Sequence, residues 1–433
     1  MQKTIEQIAA ELQGYDPQAL SAAQVNEFLA RLVVPLAETE SVGVFDALGR
    51  VLAEDVVSPI SVPPHDNSAM DGFAFDGAAL GEGPLTLRVV GTAYAGKAWS
   101  GPLGPGEAVK IMTGAIMPAG LDTVVPVEFV RVDGDRVVVP GGVVKPGDNR
   151  RLLGEDLMAG RPALRRGQTL GPAALGLIAS LGLASVRVTR RARVAYFSTG
   201  DEILSLGDAP REGAVYDSNR YTVFGLLTRL GVEVIDLGVV GDEPAALEAA
   251  FREAAARADA IITSGGVSMG EADHTKAMMK QLGDVAFWRI AMRPGRPMAV
   301  GRIAPRGGQA TAGAHPGALL FGLPGNPVAV MVTFLAFVRP ALQRLMGAEA
   351  QPPVLLQAHS GEAMRKKAGR TEYQRGVVSR EADGRLVVRT TGNQGSGVLR
   401  SMAEANGLIV LHHDQGNVAV GDTVDVMMFD GVI

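Results

Sequence analysis

From Ala192 onward, nearly continuous apolar runs alternate with stretches whose apolar residues recur every three or four positions. ARVAYF, VEVIDLGVV and ADAIIT read as strands buried on both faces, and NRYTVFGLLTRL and EPAALEAAFREAAARA between them as amphipathic helices. That alternation predicts a parallel sheet with helices on both sides, over about residues 187–345. Another helix, the strands VAFWRIAM, PMAVGRI and ALLFGL, and an apolar helix beginning near Asn326 complete it; Pro340 is expected to kink or end that helix. Upstream, Ala22 to Arg31 has helical spacing, and Gly43 to Val57 ends in a β-branched run. Between 61 and 146, short β-branched runs such as Leu85–Val90, Val124–Val130 and Arg136–Val139 are separated by Gly and Pro, which predicts a small all-β unit. A helix from Pro172 to Leu181 follows, so the β unit reads as an insertion in a mixed domain made of residues 20–60 and 147–186. From 346 to 433 the pattern is β again: YQRGVVSREADGRLVVRTTG alternates on either side of an Asp-Gly turn, and GNVAVGDTVDVMM adds a strand, predicting a barrel-like terminal domain.

Composition narrows the function classes. A chain of 433 residues has room for about three domains of roughly 150 residues. Its formal charge of −5, without a long basic block, argues against a nucleic-acid coat, so any anion must be bound locally. No cysteine is present, which removes disulfides, thiolate metal sites and cysteine nucleophiles. The N-terminal MQKTIEQIAAELQGYD carries charges where a signal peptide needs an apolar core. Pro327 to Val338 falls short of the roughly 18 residues of a membrane span. A cytoplasmic protein without membrane partners is the expectation.

In a parallel α/β sheet, ligands bind at the carboxyl ends of the strands. Three segments there are unusual: Ser198 to Glu202, Ser264 to Lys276, and Gly322 to Pro327. Glycines such as Gly265, Gly266 and Gly325 let backbone amides approach an anion, and Asn326-Pro327 reads as the start of a helix. Asp201, Glu202, Glu271 and Asp273 offer hard oxygens of the kind that hold Mg²⁺ against phosphate, and Lys276 could neutralise that phosphate. Any one segment reads better as a turn with helix-capping acids; three on one rim point to a phosphate-ligand site. Arg289, Arg293 and Arg296 in WRIAMRPGRP could receive an oxyanion or form a solvated basic edge. The polar runs around Asp66 and Asp71, Thr113, and Asp156 carry no apolar pattern and read as loops. His412 and His413 are adjacent, and His274 reads as a helix-surface or supporting residue.

DNSAMDG, IMTGA, RRLLGED, FSTGDE, YDSNR, SGGVSMGEADHTK, FW-IA-RPG-P and GLPGNPV occur in this order, and together they resemble the MoeA family of molybdopterin molybdenumtransferases, which includes the E domain of gephyrin. The likeness runs from about Ser41 to the C-terminus; residues 1–20 and the loop Ala304–Pro316 look particular to this chain. It implies a multidomain α/β plus β chain: a MogA-like three-layer α/β domain with a mostly parallel sheet, an inserted small β domain, a mixed domain of N-terminal segments and a C-terminal β-barrel. It also implies a homodimer with a composite active site, and a reaction in which adenylylated molybdopterin and molybdate yield molybdenum cofactor with Mg²⁺-dependent release of AMP. A molybdopterin adenylyltransferase would act upstream, and molybdoenzymes or their chaperones downstream.

By motif, the resemblance assigns catalytic roles to Asp66, Thr113, Asp156, Glu202, Asp242 and Asp273. Glu202, Asp242 and Asp273 would bind Mg²⁺. Ser264, Gly265, Gly266, Lys276, Pro324, Gly325 and Asn326 would hold the phosphate region, while Arg289, Arg293, Arg296, Arg375 and Ser396 would receive substrate, molybdate included. Arg289 and Arg293 stand where the family has lysines, and Arg296 where lysine is common, so the charge persists in a planar, forked form. Competing readings are a molybdopterin adenylyltransferase using ATP, a gephyrin-like scaffold and a nucleotide pyrophosphatase. The long N-terminal region weighs against the first, the retained acidic residues against the second, and DNSAMDG with GLPGNP against the third.

Overall fold

A computed structural model describes residues 3–267, 274–304, 317–349 and 351–430. Its centre is a six-stranded sheet made of β1 (Arg193–Thr199), β2 (Glu233–Val240), β3 (Ala260–Ser264), β4 (Gly283–Arg289), β5 (Pro297–Ile303) and β6 (Ala318–Leu323), in the spatial order β2-β1-β3-β6-β5-β4. Period-two alternation sends neighbouring side chains of β1 to opposite faces. Val194 and Tyr196 join a core with Val223, Leu227 and Val328, whereas Ala195 and Phe197 join one with Leu247, Phe251 and Met279. Phe197 and Phe251 meet edge to face at 5.1 Å. The three-layer α/β arrangement follows from this double burial.

β2, β1, β3 and β6 are parallel, but β5 and β4 run antiparallel at the edge. The reason is length: Arg289 pairs with Pro297, so only Ile290 to Arg296 link the two strands. A parallel return needs a crossover of a dozen or more residues.

The apolar helix starts at Pro327 and does not stop at Pro340. It runs through Leu345, with a widened turn over Phe334–Val338 between two α segments. Proline lacks an amide proton and crowds the preceding turn, and a π-type turn absorbs both. At 19 residues it is long and apolar enough to cross a membrane, which corrects the shorter span expected, yet 78% of the apolar stretch is buried inside the protein.

The inserted β unit is a six-stranded sheet from Gly72 to Val139. Chain on either side of it pairs: Thr39–Gly43 lies antiparallel to Ser185–Thr189, and Asn67–Ser68 to Arg150–Arg151. In the C-terminal region, Thr371–Arg380, Leu386–Thr390, Leu356–Ser360, Thr423–Met428 and Gly407–Leu411 pair in sequence, and the last returns to the first, closing a five-stranded barrel. The expected Asp383-Gly384 turn joins the first two, with Gly384 at φ 87°.

Helices Ile5–Glu11 and Ala22–Leu32 pack on the central domain. Phe28 is fully buried and meets Trp288 edge to face at 4.9 Å. Phe28→Ala is expected to destabilise the fold by about 3–5 kcal/mol, seen as a lower urea midpoint.

Candidate active site

Register places the three strand ends side by side: Ser198 pairs with Ser264, and Ser264 with Leu323. The loops that follow open onto a cavity of about 840 Å³. Its walls include Glu202, Asp242, Gly265, Gly266, Pro324, Gly325 and Asn326 from the central domain. The β4–β5 hairpin contributes Arg293 and Arg296, and the C-terminal domain contributes Arg370, Gln394 and Ser396.

The glycine pair is a steric requirement. Gly265 has φ 93°, and a Cβ there would lie 2.6 Å from the Thr199 carbonyl oxygen. Gly266 has φ 64°, and its Cβ would lie 2.4 Å from Cβ of Thr275. The two differ in what they can offer a ligand. The Gly265 amide donates to the Leu323 carbonyl (3.1 Å), so it serves the fold, whereas no backbone partner for the Gly266 amide occurs among the described residues. Asn326 caps the long helix by backbone only; its side chain makes no cap bond. Asn219, from YDSNR, donates through Nδ2 to the Gly325 carbonyl (2.8 Å) and holds that loop. The Val328 amide donates to the Ser396 carbonyl (3.1 Å), tying the C-terminal loop to the first turn of the helix.

Asp242 and Glu202 both face the cavity. The Asp242 amide donates to Oδ1 of Asp201 (3.0 Å), so Asp201 braces the neighbouring loop. Ser264 is buried beneath the floor, where its Oγ hydrogen-bonds the Tyr196 hydroxyl (2.7 Å) and Ser198 (3.2 Å). Burial pushes the Tyr196 phenol well above its ordinary range, so the network stays neutral.

Arg293 and Arg296 are exposed, and no acidic side chain among the described residues pairs with either. Arg289 belongs to β4 and does not line the cavity. Arg375 is fully buried: its guanidinium donates to Ser401 Oγ (2.9 Å) and to the carbonyls of Asn393, Gln394 and Gly395 (3.2, 3.3 and 2.9 Å). It thus shapes the loop leading to Ser396. Burial, with Arg293 nearby, lowers its pKa to about 10. Arg375→Ala is expected to cost several kcal/mol, because hydrogen bonds to charged groups are worth about 1.5–3 kcal/mol each. The measurement is a thermal melt, with partial rescue by lysine.

Lys276 points away from the cavity walls, its ammonium 5.0 Å from the Phe287 ring centroid. Asp273 and Glu271 lie outside the described residues. His274, expected on the helix surface, lines the cavity. Arg370, Thr199 and Gln394 also line it and were not expected. Arg370 is oriented by buried Glu372, whose Oε1 accepts from its Nε at 2.7 Å; a buried glutamate two residues along an alternating strand was its only sequence signal.

Asp66, Thr113 and Asp156 do not line the cavity. Asp66 Oδ1 accepts from the Leu153 amide (2.7 Å) and Oδ2 from Arg150 Nε (2.9 Å). Asp71 Oδ1 accepts from the Thr113 amide and hydroxyl (2.6 and 2.7 Å). Asp156 is exposed. The Leu153 amide, then Arg150, hold the Asp66 carboxyl below its ordinary value. That contact is therefore fully present above the unfolded carboxylate value of about 3.9 and is lost as pH falls through the lower folded value. An NMR titration of Asp66 is expected to show no change between pH 5 and 8.

Comparisons agree along the whole chain. Residues 20–182 match the MoeA N-terminal region (domain I and II), 195–344 the probable molybdopterin binding domain, and 357–429 the MoeA C-terminal region (domain IV). The chain is 40% identical over 409 residues to a molybdopterin molybdenumtransferase of Haemophilus influenzae, covering 94% of this chain and 98% of that one. It is 37% identical over 397 residues to one from a Nostoc species, covering 90% and 88%. The crystal structure of a molybdopterin biosynthesis MoeA protein from Pyrococcus horikoshii superimposes with a TM-score of 0.80 at 25% identity, over 95% of this chain and all of that one.

Proposed function

Because this chain belongs to the MoeA family, we propose that it is a molybdopterin molybdenumtransferase, which takes adenylylated molybdopterin and molybdate to molybdenum cofactor with Mg²⁺-dependent release of AMP. The observation that carries this reading is the convergence of glycine-bearing loops, two carboxylates and two exposed arginines on one cavity.

The donor set suits Mg²⁺. Among the described residues no group of three or more His, Asp or Glu side chains is close enough to hold a metal alone. Mg²⁺ commonly uses one or two carboxylates and completes its shell with water and substrate phosphate oxygens, which is what Glu202 and Asp242 beside the cradle offer. When bound, the ion would offset charge on the phosphoryl oxygens. Gly266 and the helix start at Asn326 would hold the phosphate of the adenylylated pterin. Arg293, Arg296 and Ser396 would receive molybdate, a tetrahedral dianion, with guanidinium forks oriented toward its oxygens. The residues would thus hold two anions next to each other, which is the main task when bond cleavage must be coupled to metal insertion.

Asp66, Thr113 and Asp156 fit this scheme as contributions from a second copy. The segments that carry them expose Met70, Leu152, Leu153 and Met158, while beside the strand-end loops Val215, Tyr216, Tyr221 and Phe224 are exposed. Apolar residues left bare on both sides support a symmetric homodimer with composite sites. The chain would work in the cytoplasm, taking substrate from a molybdopterin adenylyltransferase and passing its product to molybdoenzymes or their chaperones.

Purified protein with adenylylated molybdopterin and Mg²⁺ is expected to release AMP rapidly only when molybdate is added. Equal release without molybdate would refute the reading, and pyrophosphate formation from ATP and molybdopterin would support the adenylyltransferase instead.

A further inference from the structure

The hairpin that presents Arg293 and Arg296 is held from two sides. On one side the C-terminal domain pairs with it: Met292–Arg293 lie parallel to Thr371–Glu372, and the Thr371 amide donates to the Ala291 carbonyl (2.9 Å). On the other side lies the N-terminal segment. The Arg289 amide donates to the Pro17 carbonyl (2.8 Å), Leu20 bridges Ile290 in parallel, and the Ala291 amide donates to the Leu20 carbonyl (2.7 Å).

Side chains reinforce this second grip. Trp288, the last residue but one of β4, donates through its indole Nε1 to the Tyr15 hydroxyl (3.0 Å). Tyr15 stacks on Phe28 at 6.1 Å, and Phe28 packs on Trp288. Farther back, the Ile5 amide donates to Asp284 Oδ2 (2.9 Å), while Ile8 and Leu12 are buried. The segment therefore runs along the outer edge of β4 from its first residues to the hairpin. Without it, the amides of Arg289 and Ala291 would belong to an unpaired sheet edge.

We propose that residues 3–20 are a strap that fixes the arginine hairpin and thereby sets how tightly the site holds its oxyanion. None of residues 3–20 lines the cavity, and residues 3–19 precede the match to the MoeA N-terminal region, which begins at residue 20. Its action is positional. An arginine fork recognises a tetrahedral oxyanion by geometry, so loosening the backbone that carries Arg293 and Arg296 weakens binding more than it changes the chemistry. The inference rests on the reading of the cavity as a molybdate site, and the test separates the two.

The experiment compares the full chain with a variant lacking residues 1–18 and with Tyr15→Phe, which removes only the acceptor for the indole. Amide hydrogen exchange of residues 289–292 is measured together with the molybdate saturation of AMP release. The truncation is expected to speed exchange at Arg289 and Ala291 while β1 and β3 stay protected. It should raise KM for molybdate roughly tenfold, with kcat at saturation within about twofold. Tyr15→Phe, which keeps the segment in place, should move both readouts the same way by less. Unchanged exchange at 289–292, or faster exchange with an unchanged molybdate KM, overturns the proposal. A uniform fall in kcat with faster exchange throughout also overturns it, because that marks general destabilisation. If the full chain releases no AMP in response to molybdate, the site reading has failed, and the exchange data alone then decide whether the strap fixes the hairpin.

Discussion

Asp242→Asn is expected to lower kcat for molybdate-dependent AMP release by about 10²–10³-fold while leaving the fold intact. The substitution keeps shape and removes only charge. The brace on that loop runs through the Asp242 backbone amide to Asp201, so it survives the change. With Glu202 the one other carboxylate on the cavity wall among the described residues, loss of Asp242 halves the hard-oxygen set available to a divalent ion. The Mg²⁺ concentration needed for half-maximal rate should rise as kcat falls, and the thermal midpoint should not move. Activity within tenfold of the parent, at unchanged Mg²⁺ demand, would remove Asp242 from the site.

A mixture of two inactive variants is expected to recover activity. Asp66→Asn disables the surface formed by DNSAMDG, and Asp242→Asn disables the cavity. If each site combines the cavity of one chain with the Asp66 surface of another, a mixed dimer contains one site with both residues intact. Random exchange of equal amounts makes half the dimers mixed, so recovery should reach about a quarter of parental activity. If both residues served a site within one chain, no combination would restore it. Recovery that fails although subunit exchange is verified by mass would therefore sink the composite site.

What was legible in the sequence followed local rules. Strands buried on both faces announce themselves as unbroken apolar runs, so β1, β3 and β6 and the three loops on their shared rim could be placed. The Asp383-Gly384 turn was equally plain, because φ of 87° suits glycine. Less legible was anything decided by partners far away in the chain. The reversed strand β5 was hidden although the seven residues that link β4 to it were countable, because an apolar run carries no direction. Arg375 was named as a ligand by resemblance; only the fold shows its buried guanidinium bonded to Ser401 and to three loop carbonyls. Lys276 also lies over the Phe287 ring, a contact its place in the sequence did not announce. Asp66, Thr113 and Asp156 were named by resemblance alone, and their polar turns gave no local sign of the bonds that hold Asp66 and Thr113.

The burial of Phe28 against Trp288 also bears on how the molecule is made. Its helix leaves the ribosome some 260 residues ahead of that indole, and translation at about 5–20 residues per second separates their emergence by roughly 13–50 s. During that interval Val25, Phe28, Leu29 and Leu32 have no finished core to enter, whereas the intervening sheet from Gly72 to Val139 can close on itself. A nascent chain with an unsheltered greasy stripe at its leading end is a natural client for a holdase, and slower translation should lengthen that dependence.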